Sequence, residues 1–323
     1  MSRFTGLPAD YAPGYVLSAR TAPEGGALAA AVSADPAAPL SAARELVVLV
    51  HGFNNHMGEG AIDYQAFRQH QCPLAGCDAS ALEASLADFF WPGDADMGAL
   101  DKLDFMAYPQ AVHVAPGAGQ RLAAFLATLP NLLTLDFVGH SLGCRVVLEC
   151  IQQMSLGAHP RVRQVVLMAA AVPVSMVSAG GALAPACAVA QSVLVLHSSA
   201  DDVLHYTFAP GETEAGGEGL LPIALGRDGP PPGMPGVVQG QDIAGAGHSD
   251  YWGVEDDSST AAAVAIHSQV SGFVAAALKL GSVARTAAPS RAARAAKLAG
   301  YPRLAASPRD IAARAVAQAV RAI

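Results

Sequence analysis

Three short stretches of this chain carry side chains able to break an acyl bond. Gly139-His140-Ser141-Leu142-Gly143 sets a serine in a Gly-x-Ser-x-Gly sequence. An apolar run, residues 132–138, precedes it, and a helical pattern over residues 142–154 follows. A serine hydroxyl is a useful nucleophile only when held clear of the backbone, beside a base and facing oxyanion donors. A sharp strand-to-helix turn does this, at the cost of bringing neighbouring backbones so close that side chains two positions either side would clash. Gly139 and Gly143 relieve that crowding. The helix beginning after Ser141 adds free N–H groups and a positive dipole end where an oxyanion would form. The pentapeptide alone recurs by chance in chains of this length; a buried strand before it and an amphipathic helix after it make an accidental match rare.

The other two stretches lie in a telling order. Leu46-Val47-Val48-Leu49-Val50 reads as a strand buried on both faces, and it ends in His51-Gly52-Phe53-Asn54-Asn55. Downstream of Ser141, residues 192–196 form another such run, followed by Ser198-Ser199-Ala200-Asp201-Asp202. Val237-Val238 then leads to Gly245-Ala246-Gly247-His248-Ser249. A nucleophile, a carboxylate past one strand and a histidine past the next resembles the α/β-hydrolase superfamily. Within it, the His51-Gly52-Phe53-Asn54-Asn55 turn, Phe90-Trp91-Pro92 and the Ser-Ser-x-Asp loop resemble a largely uncharacterised bacterial branch. The resemblance spans about residues 44 to 280.

The resemblance implies a role for each matched residue. Ser141 is the nucleophile, His248 takes and returns its proton, and Asp201 fixes the imidazole tautomer and stabilises the imidazolium. Leu142 N–H and Phe53 N–H form the oxyanion hole, with Asn54 N–H the alternative to Phe53. Asp202 competes with Asp201; the distance from the strand end and the following Val203-Leu204 favour Asp201. Among the rival bases, His197, His205 and His267 compete: His197 closes a strand and reads as a packed histidine, and His267 reads as a partly exposed helix histidine, while His248 in its Gly-flanked loop is favoured; His113 lacks a supporting context. His51 and His140 belong to the two turns and shape the pocket. Tyr64, Trp91, Tyr108 and Trp252 are expected beside them and Asn54 in a partly aromatic substrate pocket.

Positioning these groups requires a mostly parallel sheet. Strands are predicted at residues 45–50, 87–91, 132–138, 164–169, 193–196 and 236–242, and helices at 61–70, 118–129, 142–154 and 260–280. Residues 1–43, dense in proline, are expected to hold edge strands near 15–19 and 27–32 rather than a long helix. Residues 44–280 form the catalytic domain, with irregular, cap-like insertions at 54–115 and 205–236. Hydrophobic residues make up 52% of the 323 and charged residues 14%, enough for a large core. No uninterrupted apolar run approaches a membrane span, and the N-terminus lacks a signal-peptide pattern, so a cytoplasmic protein is expected.

Charge is uneven. The chain is net −8, yet residues 281–323 carry seven arginines and one lysine against Asp310 alone. This Ala/Arg-rich tail reads either as a helical hairpin docked on the acidic body or as a contact for an anionic membrane surface. No nucleic-acid partner is expected, and the oligomeric state is open. Of five cysteines, Cys144 and Cys150 read as core residues. Cys72 and Cys77 sit in a loop, but no second Cys/His pair at zinc-ligand spacing accompanies them; no metal and no cofactor are assigned. The expected activity is carboxylic ester hydrolysis through an acyl-enzyme. A lipase acting at lipid surfaces and an inactive binding protein of the same fold are the alternatives.

Overall fold

Eight strands form one sheet: β1 (Tyr15–Arg20), β2 (Leu28–Asp35), β3 (Glu45–Val50), β4 (Leu86–Phe90), β5 (Thr134–His140), β6 (Arg161–Met168), β7 (Ser192–His197) and β8 (Val238–Asp242). They are seen in a computed structural model that describes residues 4–8, 11, 14–76, 82–94, 107–157, 160–216, 219–255 and 259–280. Their order is β2-β1-β4-β3-β5-β6-β7-β8. Only the β1–β2 pair is antiparallel. This is the α/β-hydrolase fold.

Each central strand is a continuous apolar run because both of its faces are covered. From Leu46 to Val50 and from Thr134 to His140 every residue is buried. The register aligns the strand ends that matter. Val50 pairs with Gly139, Gly139 with Leu167, Met168 with Leu196 and His197 with Asp242. The turns after β3, β5, β7 and β8 therefore meet along one edge of the sheet, where ligands bind in open parallel folds.

Four longer helices flank the sheet: α1 (Met57–Ala75), α2 (Tyr108–Leu126), α3 (Gly143–Met154) and α4 (Ala261–Leu278). The α2 and α3 helices pack together, as do α1 and α4. Gly119 lets α2 approach α3, since a Cβ there would lie 2.7 Å from Val146 O and from Glu149 Cβ. The start of α1 is fixed by His56, which accepts N–H bonds from Gly58 and Glu59 while Glu59 reaches back to the His56 N–H. Buried charges pin further elements: Arg68 on α1 grips Asp88 on β4 at 2.7 and 2.8 Å, with Tyr11 on the same carboxylate.

Several sequence expectations need correction. Only β2 is an edge strand at the N-terminal side; β1 lies between β2 and β4 and is fully buried. Residues 54–115 are not an irregular insertion, for they contain α1, β4 and the start of α2. Residues 205–236 hold a short π-helix (Leu204–Phe208) and two short α-helices (Ala209–Glu214 and Leu225–Asp228). His267 is only 3% exposed, not partly exposed, because α4 turns that face onto α1 and the loop before it. Helix α4 is also long and apolar enough to cross a membrane by length and composition, which the run-length reading did not anticipate because polar residues interrupt it. Cys77 and the basic tail, residues 281–323, lie outside the described residues.

Candidate active site

The turn after β5 is as tight as its glycines suggested. A Cβ on Gly143 would lie 2.3 Å from the His51 carbonyl oxygen, and one on Gly139 would lie 3.1 Å from the Cys144 backbone. Ser141 has φ +51°, a left-handed conformation that costs a non-glycine residue about 1–2 kcal/mol. Its surroundings hold it there: Ser141 N–H donates to Met168 O at 3.0 Å, and Ser141 O accepts from Cys144 and Ala171 N–H, each at 3.1 Å.

His248 bridges Ser141 and Asp201. Its Nε2 lies 2.8 Å from Ser141 Oγ, and its Nδ1 lies 2.8 Å from Asp201 Oδ2. With the imidazole proton on Nδ1, that N–H donates to the carboxylate and Nε2 accepts from the serine hydroxyl. Asp201 is fully buried, and its other oxygen accepts Leu204 N–H at 2.9 Å. Asp202 is partly exposed and makes no contact with His248 among the described hydrogen bonds.

The loop bearing His248 is held from two sides. His140 Nε2–H donates to the His248 carbonyl at 2.8 Å, and Asp250 accepts Gly247 N–H at 2.7 Å. The His140 and His248 rings stand 5.0 Å apart. Burial, reinforced by the nearby His248, pushes the His140 pKa down to about 3, so His140 is a neutral donor. That neutrality matters, because a cation there would oppose protonation of His248.

The β3 turn packs directly on Ser141, for a Cβ on Gly52 would sit 2.9 Å from Ser141 Cβ. Asn54 N–H is committed to Gly93 O at 2.7 Å, which removes it as the alternative oxyanion donor. Phe53 N–H and Leu142 N–H have no partner among the described residues.

Beneath this turn lies a support that sequence reading mistook for pocket wall. His51, Tyr64 and Trp91 are 0% exposed and Trp252 is 3% exposed, so these side chains pack as core beneath the turn. Tyr64 OH donates to Phe89 O at 2.6 Å and accepts His51 N–H at 2.7 Å. Trp91 Nε1–H donates to His51 O at 2.9 Å. The His51 ring stacks on Trp91, with Nδ1–H donating to Gly52 O at 2.9 Å and Nε2 accepting Trp91 N–H at 3.3 Å. Burial lowers its pKa to about 4. Trp252 fits edge-on between Tyr64 and Phe67. Closer to the surface, half-buried Phe53 meets Tyr108 edge-to-face at 5.3 Å, and Tyr108 OH donates to Glu212 at 3.1 Å.

A family model agrees with this architecture. Residues 34–207 match the family model described as "Alpha/beta hydrolase of unknown function (DUF900)". No curated protein matches the chain. Among solved structures, carboxyl esterase 2 (TmelEST2) from the mycorrhizal fungus Tuber melanosporum aligns at 12% identity and a TM-score of 0.32, over 79% of this chain and 81% of that one.

Proposed function

We propose, from the premise that the chain belongs to the α/β-hydrolase family of unknown function, that it is a serine hydrolase cleaving carboxylic esters through an acyl-enzyme. One observation carries the proposal: the unbroken hydrogen-bonded path from Ser141 through His248 to buried Asp201.

The reaction follows from that path. Ser141 Oγ adds to the ester carbonyl carbon as its proton passes to His248 Nε2. Asp201 stabilises the imidazolium through the Nδ1–H bond without itself taking the proton. Negative charge on the former carbonyl oxygen is met by Phe53 and Leu142 N–H, each worth roughly 3 to 4 kcal/mol in the transition state. Collapse expels the alcohol, which takes the proton from His248. A water molecule then gives a proton to His248 as its oxygen attacks the acyl carbon; breakdown of the second tetrahedral adduct passes that proton from His248 to the departing Ser141 Oγ, and the released acid ionises to the carboxylate.

Hydrolysis of p-nitrophenyl acetate, butyrate and palmitate by the wild type and by Ser141→Ala tests this. Turnover that vanishes in Ser141→Ala, with the melting temperature kept, is the expected result. Unchanged turnover in that variant removes Ser141 from the mechanism. Bias to short chains supports an esterase, and bias to palmitate supports a lipase. A wild type inactive on all three and unreactive toward a fluorophosphonate supports the inactive binding protein instead.

A further inference from the structure

A second cluster of reactive side chains lies behind the His248 loop, where α1, α4 and residues 250–255 meet. His70 comes from α1, His267 from α4 and Glu255 from the loop. We propose that these three residues form a binding site for one divalent transition-metal ion, with Zn²⁺ the best match to the donors. The inference goes beyond the hydrolase reading and does not depend on it.

The donor geometry is the first argument. Glu255 Oε1 lies 3.7 Å from His70 Nε2 and 3.6 Å from His267 Nδ1, and one donor atom from each residue falls within 4.8 Å of the others. Ligands about 2.0–2.1 Å from a tetrahedral ion stand about 3.4 Å from one another. These separations are too long for hydrogen bonds and close to that spacing. Two imidazoles and a carboxylate are also the ligand types that Zn²⁺ accepts.

The second argument is independent of spacing. His267 is 3% exposed, and its Nδ1 has no hydrogen-bond partner among the described residues. A buried nitrogen left unpaired is costly, and this one faces the carboxylate. An ion between them satisfies both. Glu255 is about one-third exposed, which gives an entry path and room for a water in the remaining position.

The surroundings suit a ligated ion. Asp250 Oδ1 stands 3.9 Å from His267 Nε2, where a carboxylate would orient a metal-bound imidazole. His70 Nε2 also lies 2.9 Å from the Gly253 carbonyl, so ligation needs the His70 proton on Nδ1 and exchanges that hydrogen bond for a metal bond. Gly253 has φ +78°, and a Cβ there would lie 2.5 Å from His70 Cδ2, so only glycine lets the loop come this near. Gln71 Nε2–H donates to Ser271 O at 3.0 Å and holds α1 and α4 together beside the site. An ion would thus staple both helices to the loop that begins at His248. Local spacing rules miss the site because its ligands come from three separate elements.

The test uses the full chain without a histidine tag, dialysed against chelator and titrated with ZnCl₂ by calorimetry. The expected result is one equivalent of Zn²⁺ per chain, with a melting-temperature rise of about 5 °C at a hundredfold excess over Kd. His70→Ala and Glu255→Gln should each weaken binding by about tenfold or more; Glu255→Gln should keep the metal-free melting temperature, whereas His70→Ala also loses the bond to Gly253 O and should lower it. Glu255 is exposed enough that its substitution leaves the fold intact, which covers the case of an unfolded His70→Ala. No saturable binding by the wild type, or wild-type affinity in a folded variant, overturns the proposal. Ser141→Ala should bind Zn²⁺ like the wild type, so failure of the hydrolase reading leaves this result unaffected.

Discussion

His140 occupies a position that the Gly-x-Ser-x-Gly pattern leaves open, yet its ring N–H holds the carbonyl of His248 at 2.8 Å. His140→Phe keeps a ring of similar bulk and deletes that donor. The part-buried carbonyl then loses that donor, a cost of up to about 1–3 kcal/mol, and the His248 loop loses one of its ties. If that cost falls on the arrangement needed in the transition state, kcat drops by roughly ten- to a hundredfold. His140→Gln, which keeps an N–H donor, should recover much of it. The pH–rate profile separates positioning from charge. A cationic His140 at 5.0 Å would oppose His248 protonation by about 3 kcal/mol at an effective dielectric of about 20, roughly two pH units. Because burial keeps His140 neutral down to about pH 3, His140→Phe should leave the acid limb of the profile where it is. Stopped-flow or steady-state hydrolysis of p-nitrophenyl butyrate from pH 5 to 9 measures both quantities. Wild-type kcat in His140→Phe, or an acid limb displaced by two units, would refute the reasoning.

Asp201→Asn should lower kcat by roughly 10³–10⁴, since the amide cannot hold the required tautomer, whereas Asp202→Asn should change it less than threefold; the reverse ranking moves the acid along the chain. Acid should also destabilise the fold through His51 and His140. Their folded pKa values, about 4 and about 3, lie below the ordinary 6.5, so the unfolded chain binds more protons between those values and 6.5. Stability is complete above pH 6.5 and falls as pH drops toward 4, by about 1.4 kcal/mol per pH unit for each histidine. Urea midpoints measured across pH 4–7 check this, and a flat profile in that window contradicts buried neutral histidines.

Much of this arrangement is legible in the chain because it is written locally. A strand buried on both faces is a continuous apolar run, which is why Glu45–Val50 stands out unaided. The nucleophile turn is equally local, since its glycines answer clashes within five residues. Asp201 and His248 follow once a parallel sheet is assumed, because the loops after its strands share one edge. What the chain hides is decided by packing between distant segments. Tyr64, Trp91 and Trp252 have the types of pocket residues and the burial of core residues, and only the crossing of β4 beside β3 decides between them. His267 sits in a helix apolar on nearly every face, so periodicity does not indicate which side is covered. The start of α1 was within reach, for His56 with Glu59 three residues on is a capping arrangement with an unusual first member.

The clasp between the two turns bears on how this protein can diversify. Gly52 seats against Ser141, and Gly143 seats against the His51 carbonyl, so closely that an added Cβ would lie 2.9 and 2.3 Å from them. Neither glycine can take a side chain without shifting the facing turn. On the proposed reading, the N–H donors assigned to Phe53 and Leu142 would then need no rearrangement when a substrate arrives. On the proposed reading, new specificities fall to the segment around Glu212, which bonds Tyr108 beside Phe53 rather than inside the clasp. Lineages that differ in what they hydrolyse should therefore vary in this segment while keeping the clasp, and a mutational library built for altered selectivity belongs there too.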